Sequence, residues 1–147
     1  LDPTFWQNVG PAGLWLITEN VGLPKSAWND KTRKFASDFQ KAYKSPPPGA
    51  AMESYDAAWL LADAIKTAGS TDAKAVIHAL ETTRWVGTRG QYAFSTSKDP
   101  AWHYHQFMEA PLTILQYQEE KQLAENAPVL WPRKFATVPY LYKKVPA

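Results

Sequence analysis

His103 and His105 stand two residues apart, a spacing that on a strand places both imidazoles on one face, usable by a metal. A third ligand would have to come from Asp99, Glu109 or elsewhere. A pair without a third fixed donor equally describes two surface or hydrogen-bonded histidines, so no metal site is assigned. Asp56 and Asp63 fall on one edge of a helical pattern, as paired acid–base carboxylates can. On that polar edge the expected role is solvation or capping. The chain has no cysteine, which removes thiol nucleophiles, zinc ribbons and disulfide frameworks. It also lacks a Ser-His-Asp order, a Gly-x-Ser-x-Gly elbow and a Gly-x-Gly-x-x-Gly loop. Gly87-Thr88-Arg89-Gly90 is too sparse to cradle a phosphate and reads as a turn. No catalytic residue and no cofactor is assigned, and the chain is expected not to be an enzyme.

Composition narrows the partners. With 45% hydrophobic and 20% charged residues over 147, the chain is globular in composition and long enough for a sizeable core. The net charge of +2 comes without a long basic run, which argues against nucleic acid. Lys25 to Lys44 does interleave cations with aromatics, but the two sets occupy opposite sides of the helix they predict. No apolar run reaches the roughly 18 to 20 residues that span a bilayer, and no signal peptide is seen. The seven Trp, seven Tyr and six Phe exceed what three short helices need, leaving ring-stacking on a ligand open beside core packing.

The elements that must position these residues start from Met52 to Asp72. At about 100° per residue, Ala57, Ala58, Leu61, Ala62, Ala64, Ile65 and Ala68 form a wide apolar arc, with Asp56, Asp63 and Thr67 on the remaining edge. This predicts a helix from near Ser54, buried on almost two sides and closed by Gly69. Ser70-Thr71-Asp72 then caps a helix to Thr82 that buries Ala73, Val76, Ile77 and Leu80. Upstream, Gly13 to Thr18 reads as a buried strand ending near Glu19-Asn20, and Leu1 to Gly10 as a loop or helical turn. Ser26 or Asn29 opens an amphipathic helix with Trp28, Thr32, Phe35, Phe39, Ala42 and Tyr43 on one stripe, and Pro46-Pro47-Pro48 stops it. Downstream, Gln91 to Phe94, His105 to Glu109 and Leu112 to Tyr117 read as strands. Leu123 to Ala147 is a Pro-punctuated tail whose Val129, Leu130, Trp131, Phe135, Tyr140 and Tyr142 need a surface to cover. Strands this few leave the helices little sheet to pack on, and Trp59 sits on the least apolar edge of the central helix.

The order of signals resembles the C-terminal part of a type 1 periplasmic solute-binding protein, the branched-chain amino acid receptor family of ABC transporters. The resemblance rests on Gly13-Leu-Trp-Leu-Ile-Thr18, Phe39-Gln-Lys-Ala-Tyr43 and the Pro-bearing connection to Ser54-Tyr-Asp-Ala-Ala58. It continues through Ala62 to Asp72, Val76-Ile-His-Ala-Leu80, Trp85-Val-Gly-Thr-Arg-Gly90 with Phe94, His105-Gln-Phe107, Gln116-Tyr117, and Trp131-Pro132 to Ala136-Thr137. Tyr55-Asp-Ala through Ala68-Gly-Ser-x-Asp72 is its most specific part.

The resemblance implies an α/β fold: a portion of a two-lobed protein with three-layer α/β/α lobes, incomplete on its own and about the last two fifths of a receptor. Residues 1–22 would end the second lobe and carry a hinge strand, and residues 23–84 would supply helices of the first lobe. Residues 85–147 would form the crossover, the closing strands of the second lobe and a tail over the hinge. It further implies an extracytoplasmic or periplasmic ABC-transporter component, not membrane-spanning, that closes on an amino acid or small organic acid, possibly an aromatic one. A ligand-sensing domain of a receptor or regulator is the alternative use of the fold. The implied partners are a small-molecule ligand, the missing N-terminal portion of the same receptor and an ABC permease, and without that portion no cooperative, monomeric melt is expected. The family places a side chain against ligand in the loop entering the central helix, which maps to Ala50, Ala51, Met52 and Glu53. Small Ala and adaptable Met suit an apolar group. Glu53 suits an ammonium or hydroxyl, or simply the first turn of a helix.

Overall fold

The computed structural model describes residues 4–138. The expectations for Leu1 to Pro3, Tyr140 and Tyr142 lie outside them. Nine principal elements follow in order: α1 (Phe5–Val9), β1 (Ile17–Val21), α2 (Asp30–Tyr43), α3 (Gly49–Ala68), α4 (Ala73–Thr82), β2 (Trp85–Gly87), β3 (Gly90–Tyr92), β4 (Leu112–Gln116) and β5 (Val129–Trp131). They sort into a helical half, made of α2 to α4 with the β2–β3 hairpin, and a sheet half in which β4 lies between β1 and β5, antiparallel to both.

Local chemistry sets the helix ends. Asn29 caps α2 by accepting from the Thr32 amide at 2.9 Å, one of the two starts the sequence allowed. Lys44 leaves α2 in the left-handed region at φ 57°. The central helix α3 begins at Gly49, directly after Pro48, and not near Ser54 as expected. Proline supplies a backbone already suited to the position before a helix, so the extended connection is only as long as the proline run. Gly69 closes α3 at φ 61°, where a side chain would be strained. Asp72 then caps α4, taking the Lys74 and Ala75 amides at 3.0 and 3.1 Å.

The core of the helical half differs from the expected one. The buried stripe of α3 is Asp56, Leu60 and Ala64, each four residues from the next. Ala64 packs with Val76 and Ala79 of α4, flanked by Ile65, Ala68 and Leu80. Ala57, Ala58, Leu61 and Ala62 are exposed, as are Ala73 and Ile77 of α4. Trp59 stands 56% exposed. Only one of the two apolar sides read from the sequence therefore has cover among the described residues.

Asp56, expected on a solvated edge, is fully buried. Its Oδ1 accepts the Thr88 amide at 2.8 Å, and its Oδ2 accepts the Thr88 hydroxyl at 2.9 Å, the Arg89 amide at 3.1 Å and the Tyr92 hydroxyl at 2.9 Å. The β2–β3 turn is thus fastened onto α3 by one carboxylate. Gly87 has to be glycine for this approach: a Cβ there would lie 2.6 Å from Asp56 Oδ2 and 2.4 Å from the Trp85 ring. Asn29, Lys31 and Thr32 of the α2 start donate to the Gly87, Val86 and Thr88 carbonyls, so the same turn also holds α2.

The sheet half is smaller and aromatic. Ile17 pairs with Gln116 and Val21 with Leu112 across β1 and β4. Phe5 stacks on Tyr117 at 5.5 Å, Trp6 meets it edge-on at 5.1 Å, and the Trp6 indole donates to the Gln122 carbonyl at 2.8 Å. The expected buried strand from Gly13 to Thr18 is displaced: a 3-10 turn covers Gly10–Gly13, Trp15 takes φ 67°, and extension starts only at Ile17. Ile17 and Val21 are exposed, since with Glu19 they lie on a face of β1 that the described residues leave uncovered. The expected strand from His105 to Glu109 does not form, since His105 sits at φ 61° after a 3-10 turn over Ala101–His103. β5, conversely, lies inside the segment read as patternless tail.

Two predictions follow from this packing. Asp56→Asn replaces an acceptor with an amide NH2 facing amide and hydroxyl donors, and should cost about 2 kcal/mol. A lowered urea midpoint at unchanged slope in the intact protein checks this. The second concerns Glu81 of α4, whose Oε1 lies 2.9 Å from His105 Nε2 while His78 Nδ1 is 3.7 Å from Oε2. The hydrogen bond from His105 outweighs the opposing desolvation and, with smaller contributions from the charges of His105 and His78, holds the Glu81 carboxyl below its ordinary value. A depressed folded value means that the contribution is complete above the unfolded value, about 4.3, and is lost as pH falls through the folded one. Glu81→Gln should therefore be less stable than wild type near pH 6 and converge with it as pH drops below that window, read from urea midpoints across pH.

Candidate functional site

The start of α3 carries all four residues expected at the ligand, Ala50, Ala51 and Met52 in its first turn and Glu53 directly after it. They belong to the helix itself and not to a loop before it. Pro48 at the N-cap offers no side-chain acceptor, so α3 opens without a side-chain cap. Ala50 is exposed, and Ala51, Met52 and Glu53 are half-buried.

Ala51 lies on the floor of a groove of about 760 Å³ between α2 and α3, walled by Phe35, Phe39, Tyr55, Trp59 and Trp85. The rings form a chain: Phe39 is 5.8 Å from Phe35, Phe35 is 4.8 Å from Tyr55, and Tyr55 is 6.3 Å from Trp59. The helical stripe predicted for α2 supplies one wall; the other comes from the part of α3 that has no cover. Lys31 lies over the Trp85 ring at 4.6 Å. Lys34 and Asp38 pair at 2.5 Å on the rim, which raises the Lys34 ammonium and lowers the Asp38 carboxyl. Lys31 is thus engaged by a ring and a carbonyl, and Lys34 by a carboxylate.

Glu53 points elsewhere. Its Oε1 pairs with Arg89 Nη1 at 3.1 Å, with Glu53 40% exposed and Arg89 only 9%. Arg89 also donates its amide to Asp56, so the start of α3, the β2–β3 turn and the buried carboxylate form one connected polar cluster. Burial first, and then the charge of Asp56, push the Tyr92 phenol well above its ordinary range, which keeps it a neutral donor. Sequence reading missed this cluster. Asp56 and the Gly87-Thr88-Arg89-Gly90 turn were each visible, but they are 32 residues apart and nothing in one sequence pairs them.

The two histidines are not brought to one point. His103 packs against Trp102 with ring centres 4.0 Å apart, and His105 stacks on Tyr104 and bonds Glu81. Among the described residues no group of three His, Cys, Asp or Glu is placed to hold a metal ion, and no helix is long and apolar enough to cross a membrane. Asp63 is exposed, well apart in role from the buried Asp56.

The fold has clear counterparts among solved structures. A leucine-binding protein from Thermotoga maritima superposes with a TM-score of 0.66 at 21% identity, over 87% of this chain and 33% of that one. A branched-chain amino acid transporter substrate-binding protein from Streptococcus pneumoniae, in complex with isoleucine, gives 0.66 at 19% over 88% and 34%. A solute-binding protein of an ABC transporter from R. palustris, in complex with benzoate, gives 0.62 at 23% over 90% and 35%. The chain spans about a third of the length of these structures. A search of curated proteins finds no match. The α/β architecture is accordingly a portion of the type 1 periplasmic binding protein fold. Residues 6–122 match the periplasmic binding protein family, and the chain belongs to that family.

Proposed function

We propose that this chain is part of a non-enzymatic, extracytoplasmic solute receptor that delivers an amino acid or small organic acid to an ABC permease. The observation that carries the reading is the family match over residues 6–122, which contains α3 and the whole polar cluster beneath its first turn. The structural counterparts are named for leucine, isoleucine and benzoate, ligands that share a carboxylate and an apolar body. An uncapped helix start suits the carboxylate, since its unpaired amides and dipole favour negative charge. Ala51, Met52 and the ring-lined groove suit the apolar body.

In this reading residues 1–22 end the second lobe, residues 23–84 supply helices of the first, and residues 85–147 cross back and close the second lobe and hinge. The exposed face of α3, from Ala57 to Ala62, and the exposed Trp59 are then covered by an N-terminal portion of the receptor. Ligand acts by making contacts available only in the closed arrangement, which shifts the population toward closure. Glu53 serves the ammonium of an amino acid, and Arg89 holds its carboxylate in place.

Thermal-shift screening of the intact receptor against amino acids, aromatic acids and sugars tests the class. Carboxylates should raise the melting temperature, since ligand at one hundred times Kd adds about 2.7 kcal/mol; a shift with sugars alone would sink the reading. Ala51→Trp fills the helix start and should abolish the response. Glu53→Gln should weaken α-amino acids about tenfold (about 1.4 kcal/mol) while leaving acids without an ammonium unchanged, read by calorimetric titration.

A further inference from the structure

Between β3 and β4 the chain forms a loop over residues 95–106 whose ends meet. The Ser95 amide donates to the Gln106 carbonyl at 3.0 Å, and the His105 amide to the Ser95 carbonyl at 2.7 Å. Inside the loop the Ser97 amide donates to Ser95 Oγ and the Ser97 hydroxyl to the Asp99 carbonyl. Two ties fasten this loop to the helical half. One, directly after it, is a stack of Phe107 on Tyr92 at 4.4 Å, which carries no charge. The other joins His105 to Glu81 of α4, beside a small cavity of about 130 Å³ whose remaining walls are Ile77, Leu80 and Phe94.

This second tie is a carboxylate held between two imidazoles. Glu81 Oε1 lies 2.9 Å from His105 Nε2, and Oε2 lies 3.7 Å from His78 Nδ1, beyond hydrogen-bond length but within reach of charge. From its own segment His105 meets the Tyr104 ring, stacked at 3.7 Å, and Lys98 lies over that ring at 5.1 Å. Among the described residues the groups around His105 that titrate or carry charge are therefore Glu81 and His78 of α4, and Tyr104 and Lys98 of the loop. His103 faces Trp102 instead. His105 also stands at φ 61°, a backbone region that a residue other than glycine keeps only where its surroundings hold it. The bond to Glu81 is one of those holds.

We infer that Glu81 and its two histidines form a pH-responsive latch that fastens the 95–106 loop onto α4. Histidine changes charge between about pH 5 and 8. Above that range the imidazoles are neutral, and His105 holds Glu81 through one neutral hydrogen bond, Nε2 donating. As pH falls, each proton gained places a cation beside the carboxylate, and the tie strengthens. In more acid solution Glu81 takes a proton in its turn, and the latch weakens again. It is therefore tightest under mildly acidic conditions. Because these side chains are partly exposed, the change in loop opening is a few-fold and not all-or-none. The latch makes the mobility of the crossing segment sensitive to the acidity of the medium, whatever the receptor binds.

The test is hydrogen exchange on the intact receptor, in buffer containing a chelator so that no metal contributes. Rates are expressed as protection factors, which removes the intrinsic pH dependence of exchange. The Ser95, His105 and Gln106 amides, all bonded within the loop, report on it, and fully buried Leu115 of β4 is the reference. Relative to Leu115, their protection should rise a few-fold as pH falls from about 8 to about 5.5. High salt should flatten the rise. His105→Gln keeps an N–H donor without a titratable charge and should remove the rise. Glu81→Gln should remove it too, which provides the reading if His105→Gln fails to fold. His78→Gln should remove a smaller part, and His103→Gln should leave it intact. The inference is overturned if the three amides follow Leu115 across the range, if a folded variant at 81 or 105 keeps the wild-type rise, or if His103→Gln abolishes it.

Discussion

One buried carboxylate organises the helical half. Asp56 receives four hydrogen bonds from Thr88, Arg89 and Tyr92, and every one of those donors lies on the hairpin that follows α4. A polar group so far from water is tolerable only when its acceptor positions are filled, and here backbone amides do half of that work. The hairpin is short, three residues to a strand, and has little stability of its own. Its shape is taken from the carboxylate it wraps. Gly87 makes the wrap possible, and the cap of α2 is then built on the carbonyls the turn leaves outward. One side chain of α3 consequently sets the position of α2, β2 and β3.

The same arrangement explains why the start of α3 is placed so firmly. Glu53 lies three residues, just under one helical turn, before Asp56, and its partner Arg89 follows the residue that fills both oxygens of Asp56. A ligand meeting Ala50 to Glu53 would push against a helix end tied twice to the hairpin. Stiffness at that point suits recognition, because groups already in place lose little freedom when a ligand arrives. The groove behind Ala51 is different in kind. Its aromatic walls carry few polar ties, and Trp59 and Tyr43 stand largely in solvent, so it is a surface shaped for cover.

Much of the fold was legible in the sequence, and the reasons are local. Asn29, Gly69 and Asp72 mark helix ends because capping is decided within a few residues, and the string from Tyr55 to Asp72 carries the family resemblance that the match over residues 6–122 supports. Errors came where a partner distant in sequence decides the outcome. Asp56 looks solvated on a helical wheel because its four donors lie 32 to 36 residues away. The strand from Gly13 slipped because Trp15, a residue that ordinarily extends, takes a left-handed backbone while its amide donates to the Tyr117 carbonyl at 2.8 Å. β5 was missed because three residues are too few to show a period, and only β4 beside them makes them a strand.

The site divides in the same way. Ala50 to Glu53 are proposed from resemblance, in which the family supplies a position and the sequence supplies the residues. The Glu53–Arg89 pair could not be proposed in that way, because it exists only once the β2–β3 hairpin packs on α3. The Arg89 guanidinium lies against the Glu53 carboxylate and beside the Tyr92 phenol that bonds buried Asp56, so its charge is met within the helical half, by residues that only the folded chain brings together.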